Sequence, residues 1–237
     1  MANVEVSLAG ASVADVAAGA GMRRYTIPAS DTPEGKARIA AYYEALGQFV
    51  HTFSQVETAV ARTLWTYAGT RPPVAKIIFA GTRVDGGCGY IKQLAAATTA
   101  SKELKDDLED VLQQLGIING ARNNILHYGA QSVAEGNAIV SDEFRAKGEP
   151  TVFPISPELL KAMTVDLRQI MTHLNYRHLG RRPPKSEYGR KVLDDILRSP
   201  WQYKHPGQTK SQTKREQSRP DHRRGSKQPR QRRSSPE

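Results

Sequence analysis

Residues 101–129, SKELKDDLEDVLQQLGIINGARNNILHYG, hold the clearest structural signal in the chain. Leu104, Leu108, Val111, Leu115, Ile118 and Ile125 recur at steps of three, four and seven, the repeat of one face of an α-helix. Ser101 is a natural N-cap, Glu103 favours the positive end of the helix dipole, and Gly129 supplies a C-cap. A helix of about seven turns is therefore expected. One position on the stripe is out of character: Arg122 stands where an aliphatic residue belongs, with Asn123 beside it and His127 in the final turn.

Upstream, Asp31-Thr32-Pro33-Glu34 reads as a helix start, with a capping side chain, a first-turn proline and an acid. A long helix to about Ala68 follows, its stripe running through Ile39, Tyr43, Leu46, Val50, Phe53, Val60, Leu64 and Tyr67, with Glu57 in the seam. Gly69 and Pro72-Pro73 end it. Short helices are expected at 74–79 and 84–97, the second weakened by Gly86, Gly87 and Gly89. Residues 131–141 read as a β-hairpin turning at Glu135-Gly136-Asn137, and Ser156-Pro157-Glu158 opens a last long helix to about Leu179. The fold class is all-α: an antiparallel bundle of four to five helices with a small hairpin insertion.

The chain carries a net charge of +10, unevenly distributed. From Lys204 to Glu237 there are 11 basic and 3 acidic residues and no aliphatic or aromatic one, so this stretch cannot build a core. It is expected to be a disordered basic tail with affinity for polyanions but no ring for base stacking. Four regions result: a poorly ordered arm at 1–30, a helical domain at 31–180, a short amphipathic segment at 181–203 and the tail at 204–237. A lone Cys88 excludes an internal disulfide, and no Cys/His cluster suggests a metal. Without a signal-peptide pattern or an apolar run near the ~20 residues of a membrane span, a cytoplasmic location and no membrane partner are expected.

A buried charge costs several kcal/mol unless paired, so Arg122 and Glu57, each on an inner stripe, are expected to pair. That pair could be purely structural. His127 opens a second possibility, because it lies four residues after Asn123 and five after Arg122. A guanidinium stabilises charge developing on a phosphate, and an imidazole takes or returns a proton, which suffices for RNA cleavage without a cofactor.

Ala121-Arg-Asn-Asn-Ile-Leu-His-Tyr-Gly129 resembles the Arg, polar residue, then His motif of the HEPN superfamily of helical ribonucleases, and Leu46 to Glu57 resembles the first helix of some bacterial members. The likeness spans about residues 34–180. It implies a metal-independent endoribonuclease in which Arg122 contacts the scissile phosphate, Asn123 orients it and His127 serves as acid/base. It also implies a homodimer with paired motifs, RNA as partner, no cofactor, and a toxin or stress-defence setting with an antitoxin or a neighbouring regulatory protein. Tyr128 follows His127 directly, where some toxin relatives carry the tyrosine one residue later. Glu57, Tyr128 and His51 are supporting candidates; His173, His178 and Cys88 rank lower. The alternative is a noncatalytic helical interaction module whose basic tail binds nucleic acid.

Overall fold

The computed structural model describes residues 32–128, 130–132, 138–141 and 152–204. The N-terminal arm, the hairpin turn at 135–137 and the tail beyond Lys204 lie outside the described residues. What is described is mostly helical, with six α-helices. They are α1 (Pro33–Tyr67), α2 (Pro72–Ile78), α3 (Val84–Ala97), α4 (Lys102–Tyr128), α5 (Pro157–His173) and α6 (Glu187–Arg198). None of them is long and apolar enough to cross a membrane.

Helix α1 begins where the sequence signals it: the Thr32 hydroxyl accepts from the Gly35 amide at 3.1 Å and Pro33 takes the first helical position. Its buried face differs from the expected one. The core line runs through Ala45, Phe49, Thr52, Phe53, Val56, Ala59, Val60, Thr63 and Leu64, while Tyr43 is 64% and Val50 40% exposed. A stripe chosen from large apolar residues misses the small ones, Ala45, Ala59, Thr52 and Thr63, which set the true phase. Val56, not its neighbour Glu57, fills the core.

Helix α1 packs most extensively on α5 and also against α3, while α4 lies on α3 and α5. Leu108, Leu115 and Ile118 of α4 meet Leu160, Met163, Leu167 and Ile170 of α5 in one buried cluster. The glycine run in α3 has a packing role: a Cβ on Gly87 would lie 3.2 Å from Val60 Cγ1, so the bare glycine permits close approach to α1. Helix α5, capped by the Ser156 hydroxyl, widens at its end into a π-turn over Leu174–His178, and Gly180 at φ 63° turns the chain away.

Between α4 and α5, three short antiparallel strands form a sheet in the order β1 (Ala130–Ser132), β2 (Ala138–Ser141), β3 (Val152–Ile155). In register, Gln131 faces Ile139 and Ile139 faces Pro154. The third strand goes beyond the hairpin expected from the sequence.

Residues 181–203, read as a short amphipathic segment, contain α6 and are fastened to the core. Asp166, fully buried on α5, accepts from the Gln202 amide at 2.8 Å and the Tyr203 amide at 2.9 Å. Gln114 of α4 donates both to Asp166 (2.8 Å) and to the Tyr203 carbonyl (3.0 Å), and Gln169 donates to the Ser199 carbonyl. Hydrogen bonds to main-chain amides and carbonyls thus hold the return segment by its backbone, independently of its side-chain identities.

Candidate functional site

Arg122 lies in the penultimate turn of α4, half-buried, its guanidinium carbon 5.2 Å from the centre of the Phe53 ring on α1. Such a cation over an aromatic face gains roughly 0.5–2 kcal/mol, offsetting part of the cost of removing the charge from water. Its Nη1 donates to Asn123 Oδ1 at 3.1 Å, which also fixes which end of the Asn123 amide faces the arginine.

The expected pairing with Glu57 does not form. Glu57 is exposed, and no carboxylate pairs with Arg122 among the described residues. The reason is the phase of α1: Phe53 and Val56 point inward, and Glu57, next in sequence, is rotated to the outside. Of the five N–H donors of a guanidinium, one is engaged by Asn123 and none by a carboxylate among the described residues.

His127 is exposed in the last turn of α4 beside Leu126, itself 47% exposed. At about 100° per residue it lies about 40° around the helix from Asn123 but about 140° from Arg122. Asn123 is thus the link, bonded to Arg122 and sharing a face with His127. His51 is exposed on α1 and hydrogen-bonded to Gln55 at 3.1 Å. Tyr128 closes α4; its side chain lies outside the described residues.

A second polar cluster, at the other end of α4, has no counterpart in the sequence expectations. Asp107 accepts from His173 Nδ1 at 2.9 Å and His178 Nε2 at 3.0 Å, and Arg177 Nη1 lies 3.3 Å away. Both of those imidazole nitrogens must carry hydrogen, since a carboxylate only accepts. The Tyr67 hydroxyl meets His178 Nδ1 at 2.9 Å. Burial alone would raise the Asp107 pKa, but the hydrogen bonds from His173 and His178, with the charges of His173 and Arg177, hold it well below the usual carboxylate range. Burial, then the Asp107 charge, raise that of Tyr67. With the His178 side chain fully buried, this cluster is closed to substrate and acts as a lock between α1, α4 and the π-turn. Its sequence signal is faint: Tyr67 reads as a hydrophobe, and His173 and His178 meet only because the π-turn brings both to Asp107.

Among the described residues no group of His, Cys, Asp and Glu could hold a metal ion. The buried Cys88 thiol is pushed up to about 11, chiefly by desolvation, with Lys92 pulling it down and Asp85 up, which makes it a poor nucleophile. No protein-family model, no curated protein and no solved structure matches this chain.

Proposed function

We propose that the protein is a metal-independent endoribonuclease of the HEPN type, acting in the cytoplasm. One observation carries this reading: a half-buried guanidinium, supported by Phe53 and Asn123 and unneutralised by any described carboxylate, on the same helix end as an exposed imidazole. An arginine with spare donors at a partly desolvated site is suited to phosphate.

In this reaction the ribose 2′-hydroxyl attacks the adjacent phosphorus while His127, or a protonated counterpart, accepts its proton or delivers one to the departing 5′-oxygen. Arg122 neutralises charge developing on the non-bridging oxygens. The phosphorus gains the bond to O2′ and loses that to O5′, leaving a 2′,3′-cyclic phosphate and a 5′-hydroxyl. Because Arg122 and His127 diverge around one helix, a homodimer that sets the His127 of one copy against the Arg122 of another would complete the pair. An antitoxin or neighbouring regulatory protein would then act by covering that cleft.

The second reading, a noncatalytic interaction module, is favoured by the same divergence, since a single chain does not bring Arg122 and His127 together. Defined RNAs incubated in EDTA with wild type and His127→Ala separate the two. A 2′,3′-cyclic phosphate made by wild type and reduced about 10²–10⁴-fold in the variant supports the enzyme; a clean wild-type preparation that cuts no RNA sinks it. Light scattering tests the dimer, and a mass of one chain at every concentration removes the composite cleft.

A further inference from the structure

An open groove of about 1220 Å³ runs along the outer flank of α1, between it, α2 and the chain after the π-turn. Its walls carry the Trp65 indole and three cations from three separate elements: Arg62 on α1, Lys76 on α2 and Arg181 beyond the π-turn. None of the three is ion-paired among the described residues, and Arg181 is braced over the Tyr176 ring at 5.6 Å. One acid, Glu57, lies at the far end, five residues before Arg62 and so about 7.5 Å along the helix axis. The hydroxyls of Thr58, Thr66 and Thr70 donate back to the main chain, leaving their oxygen lone pairs as acceptors in the groove.

We infer that this groove binds single-stranded RNA, an inference that takes its choice of polyanion from the ribonuclease reading above. Phosphates lie against Arg62, Lys76 and Arg181, a base stacks on Trp65, and the threonine oxygens accept from sugar hydroxyls or base amino groups. Cations alone would suit any anion. An aromatic ring set among them, with acceptors alongside, selects a chain that alternates phosphate with a flat base and a hydroxyl. Glu57 repels phosphate at one end and so sets how far the strand extends. The groove lies apart from the Asn123 and His127 face but begins at Ser54, the residue after the Phe53 that supports Arg122.

The test uses the full chain and a ten-nucleotide 2′-O-methyl oligoribonucleotide, which cannot be cleaved by 2′-hydroxyl attack. With Trp201→Phe, Trp65 is the remaining tryptophan, and its emission is expected to be quenched as the oligonucleotide binds. The combined variant Arg62→Glu, Lys76→Glu, Arg181→Glu alters exposed side chains only. Read by anisotropy of a labelled oligonucleotide, it is expected to bind at least about tenfold more weakly, with a log–log salt slope shallower by about 2, near 0.7 for each phosphate no longer neutralised. Unchanged Trp65 emission together with affinity within twofold of wild type overturns the site. So does a polyglutamate of equal length that competes as well as the oligonucleotide. Cleavage of unmodified RNA is measured alongside. Cleavage with an unresponsive groove removes the groove alone; binding with no cleavage removes the ribonuclease reading and leaves a single-strand binding site.

Discussion

The two ends of α4 treat charge in opposite ways. At Asp107 a carboxylate is enclosed and met by two imidazoles and a guanidinium. Fifteen residues on, about 22 Å along the axis, Arg122 is half-open and among the described residues meets one amide oxygen and one ring. Saturated polarity inside a fold holds elements together, because each partner removed leaves another buried group unsatisfied. Polarity left with spare donors at a surface is available to a ligand. The contrast between Asp107 and Arg122, more than the oddity of either residue, separates framework from candidate site.

The sharpest test exchanges the two. Arg122→Ala is expected to reduce RNA cleavage about 10²–10³-fold with little change in the urea midpoint, whereas Asp107→Ala should cost about 3–5 kcal/mol of stability by stranding its partners. Equal destabilisation by both would make Arg122 structural. Next in size, Asp166→Ala should cost about 2–3 kcal/mol and expose the 199–203 segment to protease, since it strips the acceptor from two amides and Gln114; a protease pattern like that of wild type would show that the segment is held otherwise.

Acid should act through Asp107. Its folded pKa is below the ordinary 3.8, so the unfolded chain binds the proton more readily. The stability it contributes is complete above that value and is lost as pH falls toward the folded pKa. Asp166 has the opposite sign, its pKa raised by burial despite three hydrogen bonds, so it adds no such acid loss. Chemical denaturation between pH 5 and about 2 should therefore give a shallower fall for Asp107→Asn than for wild type, and parallel curves would refute this assignment. The smallest effect is expected from Glu57→Gln, under about 0.5 kcal/mol. A double-mutant cycle with Arg122→Ala should be additive, while coupling near 1 kcal/mol or more would restore the ion pair that the packing denies.

Helices α4 and α5 are legible in the sequence because their buried faces are built from Leu, Ile and Met at regular spacing, with Ser101 and Ser156 marking their starts. The inward turn of Arg122 is legible for the same reason, as a cation interrupting a clear stripe. The phase of α1 is not, because Thr52, Thr63, Ala45 and Ala59 are small or polar residues that bury well without looking hydrophobic. From that one error comes the Glu57 pairing. The third strand is obscured by Pro154, which donates no ladder hydrogen bond. Asp107 and Asp166 could not be found, because their partners lie 36 to 71 residues away and are chosen by packing rather than by spacing.

The π-turn after α5 makes two features depend on one place. A widened turn holds one residue more than the regular helix would over the same span. In a regular helix His178, five residues after His173, would lie about 140° around the axis from it, and the widened turn returns it to the same face. Were the turn regular with all its residues kept, His178 would leave Asp107 and Tyr67, and the chain carrying Arg181 to the groove beside Trp65 would depart in another direction. The widened turn thus serves the lock and the proposed strand-binding wall together, whereas a substitution at either would leave the other standing.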